Sequence, residues 1–126
     1  MLQLLCHLVG DYLLQTERMA LNKSKDSLIC ITHCITYSLP FAYFLHLSYA
    51  SVLLIFSSHF ILDRFSLAKF FCKFRNMYVD CIDEHKVCEI TGLRSDRIES
   101  IKWLVYIVTD NTFHLLCNYL AIAYFT

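Results

Sequence analysis

Three long apolar stretches dominate the pattern, running from about Ser27 to Leu47, from Tyr49 to Phe71 and from Ile101 to Phe125. Each is close to the ~20 residues that carry a helix across a hydrocarbon core. A fourth apolar stretch, Met1 to about Thr16, rises only ~24 Å at ~1.5 Å per residue and reads as a short or tilted span. No Lys or Arg precedes it and no small-residue cleavage site follows it, so it does not read as a signal peptide. The pattern predicts helices at about 1–17, 27–47, 49–71 and 97–125, with a polar loop at about 72–96. Pro40 is expected to kink the second helix, and Asp96-x-x-Glu99 resembles a capping box opening the fourth.

The distribution of charge turns this pattern into a topology. The chain has eleven Lys and Arg against eleven Asp and Glu. All the cations fall in two places: Arg18, Lys23 and Lys25 after the first span, and Arg64 to Lys102 between the inner end of the third and the start of the fourth. The positive-inside rule then puts both termini outside and the loops 18–26 and 72–100 in the cytoplasm. The expected fold is an all-α integral membrane bundle, one domain over 1–126, with a cytoplasmic loop between helices 3 and 4. Composition agrees: 57% of residues are hydrophobic and only 17% charged, against about a quarter charged in soluble domains. Zero net charge argues against nucleic-acid binding. Of seven cysteines, Cys6, Cys30, Cys34 and Cys117 lie in apolar runs, which fits free thiols rather than a disulfide framework.

Against this background the ionisable residues inside the spans stand out, because a bilayer makes them expensive. The first helix carries His7-x-x-x-Asp11 and the third His59-x-x-x-Asp63, while the fourth carries the reverse, Asp110-x-x-x-His114. Residues four apart share a helix face. Reversing the motif where the chain direction reverses keeps each aspartate nearer the cytoplasm. His33, on the second helix, reaches a similar depth of about 9–12 Å, with the other three histidines ~6 Å deeper. The seven residues His7, Asp11, His33, His59, Asp63, Asp110 and His114 thus form one slab.

Imidazole and carboxylate drawn from facing helices are how bundles hold divalent ions, and imidazole favours transition metals over calcium or magnesium. The expected cofactor is one or two ions of zinc, manganese or iron. Gln15, Tyr37 and Asn118, each one turn from a candidate ligand, are expected to support the ligands. Gly10 is expected to let a partner helix approach. His46, at the outer interface, lies outside the slab.

The residues HLVGDYLLQTERMALNK, His33, HFILDR and DNTFH resemble a domain-of-unknown-function family, number 3307, of small membrane proteins from bacteria and their phages. The loop from Cys72 to Leu93 carries no part of the resemblance. The likeness implies a bacterial inner membrane but no activity. A looser similarity, in style only, is to membrane-bound proteins described as metal-dependent hydrolases that place His and Asp on their helices.

The expected function is therefore a membrane-embedded, metal-dependent hydrolase acting on a phosphoester or ester of a lipid or lipid-linked substrate. Asp63 is the candidate base, and Arg64 the candidate phosphate contact at the cytoplasmic surface. The alternatives are a haem-binding or proton- or metal-ion-transporting bundle and a non-catalytic phage or host membrane factor.

Overall fold

The fold is taken from a computed structural model that describes residues 1–125. Every regular element among them is helical. The order is α1 (Leu2–Leu8), continuing as a π-helical turn (Val9–Leu13), α2 (Glu17–Asn22), α3 (Ser27–Leu45), α4 (Tyr49–Arg64), α5 (Leu67–Phe74) with a second π turn (Arg75–Val79), a 3-10 turn (Glu84–Lys86) and α6 (Glu99–Phe125).

Local chemistry sets most of these limits. The Thr16 hydroxyl accepts from Met19 N–H to open α2, and Asp26 Oδ1 accepts from the N–H groups of Leu28 and Ile29 to open α3. His46, with φ of 48°, ends α3, and Ser48 caps α4 by accepting from Ser51 N–H. The helical run of α3 passes through Pro40. The helix expected over 49–71 breaks after Arg64, where Ser66 takes a φ of 50°. The capping box expected at Asp96 is not the one formed: Asp96 takes a two-pronged contact from Arg94 instead, and α6 begins at Glu99.

By length and composition, one described helix, α3, is long and apolar enough to cross a membrane. Tyr49–Arg64 and Leu67–Val79 together would make a second if counted as one broken span.

The chain divides into two compact units. The first comprises Met1–Phe65 and the C-terminal stretch from His114. Its polarity is inverted. The outward face of α3 carries Leu28, Ile31, Ile35 and Leu39, and that of α1 carries Leu2, Leu4, Leu5 and Leu8. Its fully enclosed side chains include His7, His33, His59, His114 and Asn118. An apolar cluster of Cys6, Tyr37, Phe41, Ile55 and Ala121, with Leu45 and Leu47 against it, closes the interior toward the α3–α4 turn.

The second unit, Ser66–Phe113, gives the segment expected as a loop a core of its own. Asn76 Nδ2 donates to the carbonyls of Cys72 and Gly92, and Val87 and Arg94 pair as an isolated antiparallel bridge. Gly92 has a φ of +70°, and a Cβ there would lie 2.3 Å from Lys69 O, so no other residue fits this approach without displacing backbone.

Candidate metal centre

Four helical segments each bring polar side chains into the interior of the first unit. The π turn Val9–Leu13 holds Gly10 and Asp11, and such turns are frequent at functional sites. Gly10 lies so close to α3 that a Cβ would stand 2.6 Å from Tyr37 Cδ2 and 3.1 Å from Tyr37 Cα. This contact seats α1 against α3 and carries His7 and Asp11 inward, where both are buried. α3 contributes His33 and Tyr37, α4 contributes His59 and Asp63, and the C-terminal half of α6 contributes His114 and Asn118, all of them buried.

Two histidines and two aspartates lie close together here. His33 Nε2 lies 3.0 Å from His59 Nε2, 3.2 Å from Asp11 Oδ1 and 3.2 Å from Asp63 Oδ2. His59 Nε2 lies 3.5 Å from Asp11 Oδ1 and 3.1 Å from Asp63 Oδ2. These five distances make two triangles on the shared His33–His59 edge, and His33, His59 and Asp63 form one buried metal-type trio. Nitrogen and oxygen ligands bound at ~2.0–2.1 Å to one tetrahedral ion stand ~3.3–3.4 Å apart. Spacing and donor chemistry therefore both fit a metal ion. A second buried trio, Asp11, His59 and His114, also brings its ligand atoms within 4.8 Å of one another. His114 Nε2 faces the other oxygen of Asp63, Oδ1, at 3.4 Å.

Around this centre runs a chain of oriented polar groups. Tyr37 stacks on His59, with ring centroids 3.6 Å apart. Its hydroxyl accepts from Asn118 Nδ2 at 2.6 Å and stands 2.9 Å from His7 Nδ1. His7 Nδ1 in turn lies 3.4 Å from Asp11 Oδ2. His7 thus abuts a candidate ligand and belongs to none of the convergent groups among the described residues. The outer nitrogens, Nδ1, of His33 and His59 have no hydrogen-bond partner among those residues.

The remaining predicted residues are Gln15, Asp110 and Arg64. Gln15 is half-buried, and its Oε1 makes no hydrogen bond to a described residue. Asp110, half-buried, sits one turn before His114 on α6, in the stretch assigned to the second unit. Arg64 donates from Nη1 to Ser24 O at 2.5 Å and from Nε to Ser27 Oγ at 3.0 Å. The cation that does reach the cluster is Lys23, whose Nζ lies 2.9 Å from Asp63 Oδ2. In the sequence Lys23 reads only as a topology signal. No periodicity marks it, because its reach depends on where the end of α2 meets the end of α4. In the second unit Cys81, His85 and Cys88 form no metal-type cluster among the described residues.

Comparison with known families gives a full-length match. The sequence matches the family described as Protein of unknown function (DUF3307) over residues 1–126. The chain belongs to this family. The match includes the segment Cys72–Leu93 that the motif resemblance leaves out, so the folded second unit is part of the family pattern. No curated protein and no solved structure matches the chain.

Proposed function

We propose that this DUF3307 protein is a membrane-embedded, metal-dependent hydrolase that acts on a phosphoester or ester of a lipid or lipid-linked substrate. The observation that carries the reading is the buried trio of His33, His59 and Asp63, with edges of 3.0–3.2 Å and with Asp11 Oδ1 3.2 Å from His33 Nε2. A centre of two imidazoles and two carboxylates suits zinc, manganese or iron(II). A divalent ion held there supplies Lewis acidity toward an ester or phosphoester oxygen and lowers the pKa of a water. The chain's own part is to fix the ligand geometry and to exclude bulk water. It also places His114, 3.4 Å from Asp63 Oδ1, as a second imidazole able to take or give a proton beside the reacting group.

Membrane embedding is supported by the inverted polarity of the first unit. A bundle that turns Leu and Ile outward and His, Asp and Asn inward is arranged for a lipid solvent. In this reading four spans cross a bacterial inner membrane with both termini outside. The cluster then opens toward the cytoplasmic loop 18–26, where Lys23 and Arg64 stand at its rim.

The geometry favours this reading over haem binding. Two axial imidazoles stand on opposite faces of a porphyrin with the iron between them. Here the two Nε2 atoms lie 3.0 Å apart, with no space for a macrocycle.

The test is hydrolysis of a panel of short-chain phosphodiesters, phosphomonoesters and carboxyl esters by detergent-purified protein, before and after chelation. Turnover is expected to need the metal, to fall at least ~100-fold in His59→Ala and Asp63→Asn, and to be unchanged in His46→Ala. Turnover that survives chelation, or none on any member by metal-loaded protein, would reject the hydrolase reading.

A further inference from the structure

The second unit opens with a helix whose faces are divided by residue type. Ala68, Cys72 and Asn76, spaced four apart along α5 and its π turn, are buried, and Asn76 is tied to Gly92 O. Phe70, Phe74 and Tyr78, also four apart, are 72%, 53% and 70% exposed. An offset of two residues is about 200° round a helix of ~3.6 residues per turn, so these rings lie opposite the buried stripe. The Phe74 and Tyr78 rings stand 4.9 Å apart between centroids, and Leu67, one turn before Phe70, continues the exposed face. Three aromatic rings in line on the outside of a folded unit mark a surface that takes a partner.

The cations of this helix lie on its flanks. Lys69, Lys73 and Arg75 are each half-buried, between the two stripes. Lys73 Nζ is paired with Glu84 Oε1 at 2.5 Å. No Asp or Glu occurs from Arg64 to Val79. The unit as a whole is balanced, with seven Lys and Arg against seven Asp and Glu, so the asymmetry is one of position. Among the acidic residues after Val79, Asp83, Asp96 and Glu99 are paired with Lys86, Arg94 and Lys102, which are cations outside α5. An aromatic ridge between cationic flanks fits the headgroup region of an anionic leaflet, with rings at the acyl boundary and cations against phosphates.

The chain also delivers this helix to a bilayer surface. Arg64, the last residue of α4, donates to Ser24 O and Ser27 Oγ, which marks the polar end of that helix. Ser66, with a φ of 50°, interrupts the helical run there, and α5 begins at Leu67. We propose that α5 and its π turn are an interfacial helix on the cytoplasmic leaflet, with Phe70, Phe74 and Tyr78 at the acyl boundary and Lys69 and Arg75 against anionic lipid phosphates. The inference rests on the membrane-embedded reading of the first unit and refines one element of it. The third span ends at Arg64, and the apolar run to Phe71 lies along the surface rather than through the bilayer.

The experiment uses the full chain reconstituted in vesicles of phosphatidylcholine, alone or equimolar with phosphatidylglycerol. Trp103 is the chain's one tryptophan, so Trp103→Phe combined with Phe70→Trp puts a single indole on the ridge. Phe74→Trp in the same background gives a second reporter on that face. Emission is quenched by lipids brominated near the headgroup or near the bilayer centre, or by iodide in the water. Quenching is expected to be greatest from the shallow bromines, and to fall about twofold in pure phosphatidylcholine or when Lys69→Gln and Arg75→Gln are added. Strongest quenching from the central bromines would make α5 part of a span. Quenching by iodide alone would leave the ridge in water, and an indole reached by neither quencher would place a protein surface on it. Each of these results overturns the proposal, as does shallow quenching indifferent to lipid charge and to the two cations. All of them leave the membrane reading standing if the chain stays in the vesicles through alkaline extraction. A chain that washes out would reject that reading and the interfacial helix with it.

Discussion

Gly10 and Tyr37 show how one missing methyl group sets the geometry of the centre. With 2.6 Å between a notional Cβ and Tyr37 Cδ2, Gly10→Ala must push α1 away from α3 or turn the Tyr37 ring. Tyr37 stacks on His59 and bonds Asn118, so either adjustment is transmitted to the ligands. Gly10→Ala is expected to cost about 1–3 kcal/mol of stability, as overpacking of a tight contact does. It should also lower metal affinity, by displacing Asp11 relative to His33. Thermal unfolding in detergent, with and without added zinc, checks both effects. An unchanged midpoint in Gly10→Ala would mean that the close approach of the two helices is not what seats Asp11. Much at this level is readable from residue type and spacing. His and Asp four apart on apolar helices mark an inward face, and Tyr37 and Asn118 follow from lying one turn further along. Lys23 is the exception. Nothing local distinguishes it from Arg18 or Lys25, and only the end-to-end meeting of α2 and α4 selects it.

The helices themselves depart from the hydrophobic pattern where single residues take unusual backbone conformations. The apolar run from Tyr49 to Phe71 reads as one span, yet it is broken where Ser66 adopts a φ of 50°. Hydropathy averages over such a residue and cannot register the break. The π turn over Val9–Leu13 is equally hidden, since its extra residue per turn leaves the inward-facing set of α1 almost unchanged. The polar segment after Phe71 has no apolar periodicity to reveal that it folds, although Leu93, Val87 and Thr91 are buried there. Its fold hangs on Gly92. Placing an alanine at Gly92 requires both a left-handed backbone and a Cβ 2.3 Å from Lys69 O, so Gly92→Ala should destabilise the second unit by well over ~1 kcal/mol. Limited proteolysis should then cut between residues 80 and 98 far faster than in the unsubstituted chain. Equal cutting rates in the two proteins would show that this segment is not held by the Gly92 approach.

Taken whole, the first unit reverses the partition of a water-soluble protein. Hydrophobic side chains face outward along α1, α3 and α4, and the closed interior holds an apolar plug at one end and a His/Asp layer beside it. Buried ionisable groups at this density cost several kcal/mol each unless something compensates them. Lys23 compensates part of that charge, and a divalent ion bound among these groups would compensate it more completely. The second unit belongs to the same family pattern.

The most direct test of the metal centre is the X-ray absorption spectrum, at the metal edge, of protein purified without chelator and loaded with one equivalent of zinc. The account predicts a shell of four nitrogen and oxygen atoms at ~2.0–2.1 Å, with the multiple-scattering signature of two imidazoles and none of that signature's loss in His46→Ala. A protein that retains no zinc, or a shell containing sulfur at ~2.3 Å from the buried cysteines, would contradict it.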